Sequence, residues 1–188
     1  MRRVLLLQLP LPQLNYSRQT GNVPLAAACL KLATIDLSDV QIDILPESAV
    51  TYLGGAALFD LVLRYQADII GFSVYSWNLK RSLYFAGTLK EASQPRIIFG
   101  GPEITPDNQA AAVPCVDFRV YGEGEAALVR LLQDQEFRRR KSASLPADNF
   151  FRTSRSPYLE GWLEPEIENM VLLETTCPLY PEAGPYHY

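Results

Sequence analysis

Val116-Asp117-Phe118-Arg119-Val120-Tyr121-Gly122-Glu123-Gly124-Glu125-Ala126-Ala127 is the stretch on which the fold turns. Five residues that read as a strand, Val116 to Val120, enter a turn with two glycines. Apolar residues at helical spacing, Glu125 to Leu132, follow. The same plan recurs upstream. Val4 to Leu9 is a near-continuous apolar run, as expected of a strand buried on both faces of a parallel sheet. Pro24 opens a helix over Leu25 to Ala33 in the favoured first-turn position. Val40 to Leu45 alternates like an edge strand, and Leu58 to Tyr65 has helical spacing. Ile69 to Val74 reads as a strand and Leu79 to Glu91 as a helix. Strand Arg96 to Phe99 then leads through Gly100-Gly101-Pro102 to a short helix at Gln109 to Ala112. Five such units predict an α/β fold, a five-stranded doubly wound parallel sheet of the Rossmann-like or flavodoxin-like kind. Ligands of such sheets bind beyond the carboxyl ends of the strands.

Composition narrows the partners. The 188 residues, 48% of them hydrophobic, suffice for one sizeable core plus an appendage. A net charge of −4 argues against sequence-independent binding to nucleic acid or to anionic membranes. Residues 1–3 lead into a β-like run rather than a cleavable signal, and no stretch of about 18 apolar residues occurs, so a cytoplasmic location is expected. The three cysteines are widely spaced and supply neither a disulfide framework nor, by themselves, a metal site. Residues 1–135 form the predicted domain and residues 136–188 an irregular C-terminal arm. That arm holds a basic run, Arg138 to Lys141, which reads as a solvated helix end, with phosphate contact as the alternative. It also holds one more strand-like run, Met170 to Thr175. The aromatic residues Phe150, Phe151, Tyr158 and Trp162 are expected to cover apolar surface on the way there.

The glycine turn raises the question of nucleotides, because Gly122 to Ala127 fits the loose G-x-G-x-x-A fingerprint. A dinucleotide fold places that turn after its first strand, whereas here it follows the fifth. Glu123 and Glu125 would also face the phosphates, and like charges about 4 Å apart repel by roughly 1 kcal/mol even in water. No G-K-[ST] loop is present, which excludes a P-loop. Magnesium-dependent phosphoacceptor chemistry needs carboxylates after the first strand, but that strand ends Gln8-Leu9-Pro10. The single histidine, His187, is next to the last residue. Without a phosphate the glutamates make sense in two ways: as favourable charges in the first turn of a helix, or as acceptors for a ligand that offers hydroxyls and amides. Ser73 and Gly100-Gly101, residues without bulk after two neighbouring strands, leave a slot for something thick against the sheet.

Three motifs carry a resemblance. Ala67 to Asn78, then Ile97 to Glu103, then Val116 to Glu125 resemble, in order and spacing, the cobalamin-binding domain of cobalamin-dependent radical S-adenosylmethionine (radical SAM) proteins. The first strand, the proline-rich loop and Gly21 to Leu25 match as well, so the likeness covers about residues 3 to 135. It implies a cobalamin-binding fold in which the nucleotide tail of the cofactor inserts into the sheet and the corrin lies over the strand ends. Carried over, Ser73, Gly100 and Gly101, with Pro102 and Glu103 beside them, would line the tail. Leu11, Gln13, Asn15 and Tyr16 of the first loop, and Tyr75, Ser76, Trp77 and Asn78, would lie near the corrin. Gly122, Glu123, Gly124 and Glu125 would contact the tail or the corrin side chains.

The sequence departs from related patterns in two places. Cobalamin domains of mutases and methionine synthases carry D-x-H-x-x-G after the first strand, but Gln8 to Ser17 contains no histidine, so binding without a histidine ligand is implied. In full radical SAM enzymes three cysteines hold a [4Fe–4S] cluster at the start of a catalytic barrel. Leu173 to Tyr188 keeps Glu174-Thr175 and Cys177-Pro178 of that motif but only one of the cysteines, so the cluster is not expected. The leading expectation is a stand-alone or truncated cobalamin (vitamin B12) module that does no radical chemistry itself. The alternatives are a cofactor-free scaffold with the same fold, and the cobalamin subunit of a split enzyme whose barrel is on another chain. Self-association through the C-terminal strand is a further possible contact. Neither nucleic acid nor membrane is expected as a partner. If both glycines serve the slot, Gly101→Leu should abolish cobalamin retention and spare folding; if they are small only for a tight turn, folding should suffer as well.

Overall fold

The computed structural model describes residues 1–10, 23–135, 139–144 and 156–163. Strands β1 (Arg2–Leu7), β2 (Val40–Ile44), β3 (Ile69–Ser73), β4 (Arg96–Gly100), β5 (Phe118–Tyr121) and β6 (Ser142–Ser144) form one sheet in the order β2-β1-β3-β4-β5-β6. Every neighbouring pair is parallel. Helices α1 (Leu25–Ala33), α2 (Glu47–Tyr52), α3 (Gly55–Arg64), α4 (Leu79–Ser93) and α5 (Glu125–Gln133) supply the connections, with a 3-10 turn at Gln109–Ala111.

Alternation along the strands splits the core into two layers. Leu5, Leu7, Ile70, Phe72, Ile97 and Phe99 face α2, α3 and α4, where Val50, Leu58, Val62, Phe85 and Leu89 meet them. On the other face Val4, Leu6, Ile42, Ile69, Ile98, Phe118 and Val120 pack against Ala27 of α1 and Leu128, Leu131 and Leu132 of α5. Residues buried on both faces explain why the strands read as continuous apolar runs. Each fully buried large side chain, such as Phe99 or Phe118, contributes about 1.5–3 kcal/mol of transfer free energy.

Two features correct the sequence reading. The predicted sheet had five strands, and a sixth comes from the arm, where Ser142, Ala143 and Ser144 pair with Arg119, Val120 and Tyr121. Three residues, two of them serines, are too short and polar to give an apolar signal. Such a strand suits a sheet edge, where a long apolar one would invite association. The chain between β2 and β3 also holds two helices rather than one. Pro46 accepts the first helical N–H, from Ala49, and starts α2. Leu53, in extended conformation, ends it.

The arm returns to the domain at residues 156–163. Leu163 is buried with Leu25, Ala28 and Cys29 of α1, Tyr158 packs beside them, and the Lys31 ammonium lies 5.0 Å from the Trp162 ring centroid. Phe150, Phe151, the Met170 to Thr175 run, Cys177 and His187 lie outside the described residues. No helix among the described residues is long and apolar enough to cross a membrane.

Candidate functional site

At the carboxyl ends of the strands, on the face that carries α1 and α5, side chains are missing from the sheet. Leu6 pairs in register with Gly71, Gly71 with Ile98, and Ser73 with Gly100. Because side chains alternate between faces, Gly71, Ser73 and Gly100 share the α1/α5 face with Leu6, Ile98 and Val120. Along β3 and β4 the last positions on that face are therefore Gly71, Ser73 and Gly100, where the positions below them hold Ile69 and Ile98. The helices do not collapse into the gap, and a cavity of about 500 Å3 remains. Its floor is Leu6, Gly71, Ile98 and Val120, and its walls are Ala26 and Leu30 of α1 and Leu128 and Leu131 of α5. Tyr75, Thr105 and the buried Ile104 also line it, as does the Gly122 to Glu125 turn.

The two glycines after β4 have different reasons to be small. A Cβ on Gly100 would have its nearest neighbour, Val120 Cβ, at 3.7 Å, an ordinary contact on the edge of open space. Gly101 has φ +111°, and a Cβ there would lie 2.5 Å from the Val74 carbonyl oxygen and 2.8 Å from the Val74 nitrogen. That tightness comes from the way the ends of β3 and β4 are tied. The Val74 N–H donates to the Gly100 carbonyl at 2.7 Å, and the Glu103 N–H returns to the Val74 carbonyl at 3.3 Å. Gly100 thus serves the cavity and Gly101 serves the turn. Of the two readings of Gly101 that the sequence left open, this contact favours the tight turn.

Glu123 and Glu125 sit at the amino end of α5. Glu125 is buried and lies in the first helical turn, where the helix dipole favours a carboxylate. Gly124 caps this helix without a side-chain hydrogen bond, and a Cβ on it would come within 3.0 Å of Leu30 Cδ2, so it lets α5 approach α1 closely. The cavity is thus apolar along its depth and lined by acceptors at its rim. It suits a bulky ligand that offers N–H and O–H groups, and it disfavours a phosphate at the α5 terminus.

Of the sequence-predicted residues, Ser73, Tyr75, Gly100, Gly101, Pro102, Gly122, Glu123, Gly124 and Glu125 line the cavity. Leu11, Gln13, Asn15 and Tyr16 lie outside the described residues. Ser76 is exposed, and Trp77 stacks on Tyr75 of the lining at 4.5 Å with an 8° interplanar angle. Two others act on the frame. Glu103 accepts a 2.9 Å hydrogen bond from Asn108 Nδ2 and braces the loop after β4. Asn78 is fully buried; its Oδ1 accepts from the Tyr75 N–H, and its Nδ2 donates to the Leu9 and Ser73 carbonyls. It therefore ties the ends of β1 and β3 together instead of facing a ligand. Asn78→Ala is expected to lose three hydrogen bonds, two of them buried, lowering stability by about 3 kcal/mol, to be read from the midpoint of a urea titration. An unchanged midpoint would mean that the strand ends hold without it.

The sequence reading missed the cavity's floor and walls, Gly71 above all. The signal was present: Gly71, Ser73 and Gly100 are small at alternate positions of two apolar strands. It becomes a cavity only once the strand register is known. Burial raises the Cys115 thiol above its ordinary pKa, and Cys29 is packed under Leu163. Among the described residues no group of three or more His, Cys, Asp or Glu is placed to hold a metal ion.

A stretch of 68 residues, 35% of this chain, is 35% identical to the 2-(S-pantetheinyl)-carbapenam-3-carboxylate methyltransferase of Streptantibioticus cattleyicolor, of which the match covers 10%. Residues 20–132, more than half of the chain, match the B12 binding domain. With a parallel doubly wound sheet and an apolar slot at its strand ends, the chain belongs to the B12 binding domain family.

Proposed function

We propose that the chain binds cobalamin with the nucleotide tail of the cofactor inserted between the sheet and helices α1 and α5. The observation that carries this reading is the lack of bulk at Ser73 and Gly100, which, with Gly71 beneath the Leu6 side chain, line a cavity of about 500 Å3 against the sheet. The tail's benzimidazole would lie along the apolar floor of Leu6, Ile98 and Val120. Glu123 and Glu125 would accept hydrogen bonds from hydroxyl or amide groups at the rim. When bound, the cofactor supplies cobalt chemistry, and this chain's residues orient it and exclude water from the slot.

Two finer points belong to the same proposal. Cobalamin binds without a histidine ligand, because the single histidine of the chain is His187 and the loop after β1 has none. The module works beside radical SAM chemistry carried elsewhere, since its motifs resemble those proteins while only Cys177 stands in the cluster position. The similarity to a methyltransferase supports a place in methyl transfer.

Titration of the purified protein with hydroxocobalamin is expected to give a visible-spectrum change that saturates at one equivalent, with the corrin retained through gel filtration. Loss of all corrin on the column would sink the cofactor reading. Bound cob(II)alamin is expected to show no nitrogen superhyperfine splitting in its electron paramagnetic resonance spectrum. Such splitting would contradict the histidine-free, tail-displaced mode alone.

A further inference from the structure

At the opposite end of the sheet, the amino ends of β4, β5 and β6, a second recess of about 300 Å3 is lined by Lys90, Arg96, Asp117, Arg139, Arg140 and Lys141. Five cations and one carboxylate give it a local charge of +4 on a chain whose net charge is −4. Two stretches far apart in sequence deliver the cations: the end of α4 with the first residue of β4 shortly after it, and the connection into β6. The basic run read from the sequence as a solvated helix end is thus joined by Lys90 and Arg96 from elsewhere. Arg138 lies outside the described residues.

The carboxylate is already committed. Asp117 Oδ2 is 2.5 Å from Lys90 Nζ and accepts the Ile97 N–H at 2.7 Å. Arg96 is half-buried at the start of its strand, while Arg139, Arg140 and Lys141 are exposed around it. Arg139 and Lys141, exposed beside the recess, add like charge around it, which a bound anion would offset. Guanidinium groups match the oxygens of phosphate two at a time, and a small recess suits a compact multivalent anion better than an extended polymer. We propose that this recess binds the oligophosphate group of a small molecule, such as a nucleoside di- or triphosphate. The site is separate from the cobalamin slot, which lies beyond the other ends of the same strands. Along β4 alone, the four steps of about 3.3 Å from Arg96 to Gly100 put the two roughly 13 Å apart.

Inorganic pyrophosphate is the probe. Calorimetric titration of the full chain in about 150 mM salt is expected to show saturable one-to-one binding. The variant Arg139→Gln/Lys141→Gln should weaken that binding at least tenfold, and both positions are exposed, so the fold should tolerate the change. Lys80→Gln, an exposed lysine on the other end of α4, should leave it unchanged. Hydroxocobalamin retention should be the same in all three proteins, which separates failure here from failure of the cofactor reading. Heat that does not saturate, or equal affinity in the double variant, would overturn the proposal. So would tighter binding of hexaglutamate or of a short single-stranded oligonucleotide, which would assign the recess to an acidic protein segment or to nucleic acid.

Discussion

Gly100→Leu is expected to cost the protein its cobalamin while leaving it folded. Gly100 ends β4, its φ is not in the left-handed region, and a Cβ there meets only Val120 Cβ, at 3.7 Å. By alternation its side chain would project into the cavity, over Ile98 and Val120. Burying a leucine in this apolar space contributes about 1.5–3 kcal/mol, and replacing glycine in a strand interior also favours the folded state. The thermal midpoint should therefore stay or rise. The ligand loses what the leucine gains: a benzimidazole cannot share a slot that the side chain fills, so affinity should fall at least a hundredfold, about 2.7 kcal/mol or more. Visible-spectrum titration and a thermal melt on the same preparation check both halves. A folded Gly100→Leu protein that still retains corrin through gel filtration would remove the slot from the argument.

One residue on, the expected result is reversed. Gly101→Leu should destabilise the chain by roughly 3 kcal/mol or more, because left-handed backbone at a branched side chain costs about 1–2 kcal/mol and backbone overlap adds to it. The overlap cannot be relieved by a rotamer change. The Cβ itself would sit 2.5 Å from the Val74 oxygen, and Val74 is held by hydrogen bonds to the Gly100 carbonyl and from the Glu103 N–H. For a domain of this size the thermal midpoint should drop by roughly 6–12 °C. Cobalamin loss in this variant would follow from the melted turn and carries no information about the slot. The contrast between the neighbours is the test: one variant folded and empty, the other unstable. Equal stability in both would mean that the Val74 contact yields more easily than the geometry implies.

The two glycines also mark where the sequence stops being legible. Strands and helices were readable because each has a local cause: runs of apolar residues for strands buried twice, Pro24 before α1, and Gly122 and Gly124 ahead of α5. The sixth strand was not, since Ser142 to Ser144 has no pattern of its own and becomes a strand only because β5 offers an open edge. The framework role of Asn78 was hidden for a related reason. Its neighbour Tyr75 lines the cavity and Trp77 stacks on it, whereas the partners of Asn78 Nδ2 are carbonyls of Leu9, 69 residues away, and of Ser73. A long-range hydrogen bond leaves no trace in local spacing.

What the sequence determined by itself is the alternation of strands and helices, and with it the parallel sheet, the end at which the cavity lies and the turns that surround it. These follow from periodicity and from the conformational limits of proline and glycine, both properties of short segments. Tertiary structure alone decided which small residues make room and which make turns, and which charges stand together. The cavity needs Gly71, Ser73 and Gly100 brought to one face by register, and the basic recess needs Lys90, Arg96 and Lys141 brought to one end by the crossovers. Both depend on distances between residues far apart in the chain, which are fixed only when the two layers of the core close on the sheet.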